Sequence, residues 1–213
     1  HKLELLSYRF EIYKSHERHV KYKNVFIFDV LTLKETFPMA RLPLIPHAEL
    51  PPDIASLIAS RPPLNLYRLL PHSVPTAKGF LALGRALLTE STLDPQLREL
   101  VILRVGALSK AAYEIHQHRR VAASVGLTPE QIGAALQERD ESCLDAWQRL
   151  VLEFTNAVVW QVKAPAHLYN AVAATLDPAG ICELLHTIGF YMLVSRFLEN
   201  IEVDIETAPG AGE

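Results

Sequence analysis

The chain has 213 residues, 49% hydrophobic and 21% charged, with a formal net charge of −3 at pH 7. That length suits one domain with an appendage, and that hydrophobic content suffices for a sizeable core. A pI near 6.3 argues against a nucleic-acid surface, and no window approaches the ~20 uncharged apolar residues of a membrane-spanning helix.

Residues 1–38 differ from the rest of the chain. They hold no Gly and no Ala, and Lys recurs at 2, 14, 21, 23 and 34, whereas beyond Met39 Lys stands only at 78, 110 and 163. The shift suggests two origins: either Met39 is a natural start with an extension joined upstream, or residues 1–38 form a genuine, irregular N-terminal arm. Within them Val25-Phe26-Ile27-Phe28-Asp29-Val30 has strand-like composition. Residues 39–206 are expected to form the helical domain, with 207–213 as a fraying tail. No secretory signal pattern is seen.

From Met39 to Pro75 the prolines leave room only for short helical turns, such as Asp53 to Ile58 with Asp53 as N-cap. Thr76 to Thr89 carries Phe80, Leu83 and Leu87 at helical spacing. Asp94-Pro95 is a start signal for a helix reaching Leu108. Ala111 to Val125 follows, stopped by Gly126, and Thr128 to Gln131 opens another helix with a capping-box pattern. Asp145 to Trp160 places Leu152, Val159 and Trp160 near one stripe. Pro165 starts a helix to Thr175, and Asp177-Pro178 starts the last, ending near Glu202. The body is therefore all-α. Leu93-Asp94-Pro95 with Glu99-Leu100 echoes Leu176-Asp177-Pro178 with Glu183-Leu184, a short hint of duplicated helical units.

The chemistry concentrates in Tyr113-Glu114-Ile115-His116-Gln117-His118 and in Glu99 upstream. Glu114 and His118 are four apart and share a helix face. A short turn near Ser109-Lys110 folds the two helices into an antiparallel hairpin, bringing Glu99 towards that face. A carboxylate against an imidazole raises its basicity and fixes its tautomer, an arrangement suited to general acid-base catalysis. The alternative is structural: Glu99 and Glu114 pair with Arg104, Arg98 or Arg119, and His118 is a hydrogen-bonded core histidine. His116 lies off the shared face. Glu183, His186, Tyr191 and Arg196 lie on the last helix, which can cover the site. Arg196 can clamp a substrate carboxylate or pair with Glu199, Glu202 or Glu153. A metal would need three or four convergent ligands, with His186 or Glu183 joining Glu114 and His118; no ordinary metal motif is present, so no metal is expected. Cys143 and Cys182 form no C-x-x-C pair and no zinc-ligand spacing, and are expected as buried free thiols in a cytoplasmic protein.

The runs Leu93 to Val105, Ala112 to His118 and Ala122 to Leu127 resemble the carboxymuconolactone decarboxylase superfamily, which includes the AhpD-like alkylhydroperoxidases. The resemblance extends more loosely from Met39 to Glu202 and takes in Ile188 to Met192 and Arg196. It implies an AhpD-like helical fold around an antiparallel helix pair, and a homo-oligomer (dimer, trimer or hexamer) acting on a small molecule. The peroxidase branch carries a C-x-x-C pair between a Glu and a His. Here those flanking residues match Glu99 and His118, but Ala111 and Glu114 stand at the cysteine positions. Glu114-x-x-x-His118 is instead similar to the decarboxylase branch, whose members act without a cofactor on a lactone acid in aromatic catabolism.

Three functions compete. In the first, a lyase acts on a small carboxylated lactone or enol acid: His118 protonates the carbon left by CO2, Glu99 orients it and Glu114 exchanges the proton. Tyr113, Arg104, His186 and Arg196 are then the candidates for holding substrate. In the second, an AhpD-type redox protein works through a thiol, which requires Cys143 or Cys182 near His118. In the third, a helical oligomeric module has kept the fold and lost the reaction.

Overall fold

The computed structural model describes residues 40–206. The expectations for residues 1–38, including the strand-like run at 25–30, and for the tail 207–213 lie outside the described residues.

The described chain is all-α, as expected, with nine α-helices and no strand among the described residues. They are α1 Pro52–Ile58, α2 Asn65–Leu69, α3 Val74–Arg85, α4 Pro95–Ser109, α5 Ala112–Ser124, α6 Pro129–Ala135, α7 Ala146–Gln161, α8 Ala166–Ala173 and α9 Pro178–Ile201. The boundaries follow the local chemistry. The Asp94, Asp145 and Asp177 side chains accept the backbone N–H of Leu97, Gln148 and Gly180 at the starts of α4, α7 and α9. Thr128 and Gln131 close a capping box on α6. Gly126 follows α5 at φ 94°, a conformation that suits glycine. The expected cap on α1 is corrected: Pro51 holds that position, and Asp53 sits in the first turn, where it pairs with Lys78. Proline at the first helical position fixes φ before Asp53 can act as the cap.

Helix α4 is the axis of the molecule. Every residue from Leu97 to Gly106 is buried, the charged Arg98, Glu99 and Arg104 included, so the helix is enclosed on all sides. Leu97, Val101, Ile102 and Val105 face a core shared with α3, α7 and α9, while Leu100 and Leu103 face a second core with Ala122, Leu127, Ile132 and Leu152. A two-residue turn at Lys110, in the left-handed conformation, folds α5 back along α4. The approach is close at Gly106, where a Cβ would lie 3.2 Å from Ile115 Cγ1. Contact of Gly106 with Ile115 and of Glu99 with His118 gives the antiparallel register.

Two expectations change here. Trp160 is 67% exposed, off the buried stripe. Eight residues from Leu152 turn it by about 80° around α7, whereas Val159 is turned by only about 20°. Cys143 and Cys182 are free but exposed, not buried, because each lies on a segment whose inward positions are filled by larger apolar side chains such as Leu144 and Leu184. Helix α9, although Glu183, Arg196 and Glu199 interrupt it, is long and apolar enough to cross a bilayer by length and composition alone. Its inward stripe Leu184, Ile188, Tyr191, Val194 and Leu198 packs into the core instead.

Candidate active site

The hairpin of α4 and α5 places Glu99, Glu114 and His118 together. His118 Nδ1 lies 2.7 Å from Glu99 Oε2, and Nε2 lies 3.0 Å from Glu114 Oε1. Glu99 is fully buried, and Glu114 and His118 nearly so. Burial opposes a charge on the ring, but the Glu114 and Glu99 carboxylates outweigh it and hold the imidazole protonated up to about pH 10. The Nδ1–H then donates to Glu99, and Nε2 is ion-paired with Glu114. The arrangement is an imidazolium clamped between two carboxylates.

The surroundings of the two carboxylates differ. Glu99 Oε1 points to Arg98 Nε at 3.7 Å, beyond hydrogen-bond reach, and both atoms are buried without a hydrogen-bond partner. Glu114, by contrast, lines a compact cavity of about 80 Å3 together with His118. Tyr191 stands edge-on to the His118 ring at 5.0 Å between centroids, and Phe190 and Phe80 continue that aromatic wall. Burial and then the nearby Glu114 and Glu99 push the Tyr191 phenol well above its ordinary range, so it remains neutral.

The cation on the cavity wall is Arg61. It is half-buried and lies over the Tyr67 ring, 5.7 Å from the centroid, with Nη1 donating to the Tyr67 hydroxyl at 3.5 Å. Among the described residues no carboxylate lies within ion-pair distance of it. Sequence reasoning missed Arg61 because it sits in the proline-rich stretch between α1 and α2, where no periodicity assigns a direction. Its one signal was its place among Pro62 and Pro63, on a rigid segment.

Tyr113 lines the cavity, and its hydroxyl donates to Glu206 Oε1 at 2.5 Å. The other substrate-binding candidates do not converge. Arg104 is fully buried, on the far side of α4. Its guanidinium donates to the Ala134 and Ala135 carbonyls, to Asn156 Oδ1 and to Glu141 Oε1 at 2.5–3.2 Å. Arg196 is exposed and donates to the Met192 carbonyl, beside Trp160 and Ser195. His186 is exposed on α9 and lines no part of the cavity. The cause is common to all three. Arg104 is five residues from Glu99, and His186 and Arg196 are each five from Tyr191, a rotation of about 140° from the cavity face.

The structural pairings considered for these groups resolve as follows. Glu99 has Arg98 as a distant partner, while Arg119 pairs with Glu138 and not with Glu114. Glu199 accepts from the Ala112 N–H, capping α5, and makes no ion pair with Arg196. Glu183 accepts from Ser91 and Thr92, away from the cavity. Desolvation raises its carboxyl, but those hydroxyls and the Thr92 N–H together outweigh it and hold the carboxyl below the ordinary range. No group of three His, Cys, Asp or Glu suited to a metal occurs among the described residues. Cys143 and Cys182 are not on the cavity wall.

Residues 75–157 match the model of the carboxymuconolactone decarboxylase family. No curated protein matches the chain. Among solved structures, the chain is similar to an uncharacterized peroxidase-related protein with an alkylhydroperoxidase AhpD core from Ralstonia eutropha JMP134. Identity is 18% and the TM-score 0.72, over 80% of this chain and 94% of that one. It is also similar to an uncharacterized peroxidase-related protein from Silicibacter sp. TM1040, at 18% identity and a TM-score of 0.69, over 85% of this chain and 98% of that one. The helical body has the AhpD-like fold, and its segment 75–157, which carries the Glu99–His118–Glu114 cluster, is similar to the carboxymuconolactone decarboxylase family.

Proposed function

We propose that the protein is a cofactor-free lyase that decarboxylates a small carboxylated lactone or enol acid by general acid-base catalysis. The observation that carries this reading is the clamped imidazolium with its Glu114 side open to a cavity that also holds Arg61. Arg61 takes the role first given to Arg104 and Arg196, since it is the arginine that lines the cavity. In the reaction the bond to the carboxyl carbon breaks, CO2 leaves, and the electron pair is delocalised into the adjoining carbonyl. The carbon then takes the proton that His118 Nε2 gives up by way of the Glu114 carboxylate, which ends the step ionised as it began. Solvent restores the proton consumed. Glu99 fixes the ring through Nδ1, so His118 is both the store of the proton and the support of Glu114.

A thiol peroxidase is disfavoured by the same geometry. Ala111 and Glu114 offer no thiol at the head of α5, and the two cysteines lie elsewhere on the surface. We further propose that the chain works as a homo-oligomer. Leu185 and Leu193 are 38% and 53% exposed on the outer face of α9, where apolar side chains meet water.

The test is CO2 release from a panel of small lactone and enol carboxylic acids. Glu114→Gln and His118→Gln should each lower turnover by about 10²–10⁴-fold, the range of a lost general acid. Full turnover by folded His118→Gln on an accepted substrate would contradict the proposal.

A further inference from the structure

Helix α9 ends at Glu202 in the left-handed conformation, and residues 203–206 run back over α2 and the first turns of α5. Glu206 there is the acceptor for three donors. The Asn65 backbone N–H reaches Oε1 at 2.6 Å, the Tyr113 hydroxyl reaches Oε1 at 2.5 Å, and Gln117 Nε2 reaches Oε2 at 2.6 Å. Both side-chain donors also line the cavity that holds Glu114 and His118. Tyr113 and Gln117 are four residues apart on α5 and directly precede Glu114 and His118. A carboxylate held by them therefore sits beside the proton-carrying groups. Glu206 itself lines a separate, open groove of about 810 Å3 outside that cavity. It stands at the boundary between the two.

The three donors suit a carboxylate that comes and goes. All three are neutral, so the contact is hydrogen bonding without an ion pair, and it exchanges readily for the same bonds to another carboxylate. The strap that carries Glu206 has one further side-chain tie near it, from Asn65 Nδ2 to the Asp204 carbonyl at 3.0 Å. We propose that Tyr113, Gln117 and the Asn65 amide form a carboxylate-binding seat at the entrance of the His118 cavity, which Glu206 fills until the carboxylate of a small organic acid displaces it. The seat thus favours acids: a neutral ligand replaces the charge-assisted bonds that Glu206 gives up only with weaker ones. This deepens the proposed function, resting on it only for the identity of the ligand as a substrate; the seat itself is a binding site and is read by binding.

The experiment titrates acetate and benzoate into the full chain by calorimetry. Removing the internal competitor in Glu206→Ala should tighten benzoate binding by about tenfold or more, because affinity falls with the fraction of competent sites. Tyr113→Phe in the Glu206→Ala background should abolish that gain. A gain that survives Tyr113→Phe would mean that loss of a negative charge, and not the seat, is responsible, and would overturn the proposal. Equal affinity in wild type and folded Glu206→Ala would overturn it as well. Should Glu206→Ala not fold, the wild type still decides: saturating benzoate must shift the Asn65 backbone amide resonance, and an unmoved resonance contradicts displacement. Tighter binding together with undiminished turnover in His118→Gln would refute the lyase and leave the seat standing.

Discussion

At the scale of single residues, what matters is which ionisable groups face the cavity and which face the core. Arg61 and Arg196 are both arginines without a carboxylate partner among the described residues, yet only Arg61 lines the cavity. Arg61→Ala should therefore raise KM for a carboxylated substrate by about tenfold or more, the loss of one charge-assisted contact. Arg196→Ala should leave kinetics unchanged; steady-state rates of the two variants check this. Arg104 is the opposite case. Its guanidinium satisfies two backbone carbonyls, Asn156 and Glu141, so Arg104→Leu should cost about 3 kcal/mol of stability by denaturant unfolding. The Glu99, Glu114 and His118 cluster was legible in the sequence because i, i+4 spacing and a two-residue hairpin turn constrain it tightly. Arg61 was not, because a proline-bound loop has no periodicity to give its side chain a direction. Arg104, His186 and Arg196 were misplaced because a helix buried on several sides does not reveal which side holds the site.

At the scale of elements, the pairing of α4 with α5 sets the distances that the chemistry needs. Their helical character and most of their limits were readable from Asp94-Pro95, Gly126 and the apolar periodicity. The crossing geometry was not, because it depends on how near the backbones come at Gly106. There a Cβ meets Ile115 at 3.2 Å, and a branched side chain has no room. Gly106→Val should push the two helices apart. It should destabilise the fold by about 1–3 kcal/mol, the usual cost of overpacking, and loosen the Glu99–His118 contact. The checks are thermal unfolding and the His118 ring resonances in the same variant. The apolar character of α9 shows the complementary limit. Its composition fits a membrane span, and only its packing on α4 shows that the inward stripe is a protein core.

At the scale of the molecule, the two cores on either side of α4 leave the site at a seam between α3, α5 and α9, so the site depends on the whole fold being closed around it. The exposed apolar face of α9 predicts self-association: light scattering should give a mass that is a multiple of 23.8 kDa, and Leu193→Glu should shift it downwards. A monomer at micromolar concentration would contradict the oligomer. The net effect of the clamp on folding has a definite sign. The His118 pKa is raised in the folded state, so its contribution is fully present below the unfolded value of 6.5 and is lost as pH rises through about 10. Tyr191, held neutral by burial, weakens the fold in the same alkaline direction once the unfolded phenol ionises.

The central claim is the imidazolium clamped between Glu99 and Glu114, and nitrogen NMR of His118 across pH 5–11 tests it most directly. Both ring nitrogens should remain protonated through neutral pH, with a midpoint near 10, and Glu99→Gln and Glu114→Gln should each lower that midpoint. A midpoint near 6.5 in the wild type, unmoved by either substitution, would contradict the clamp and the chemistry built on it.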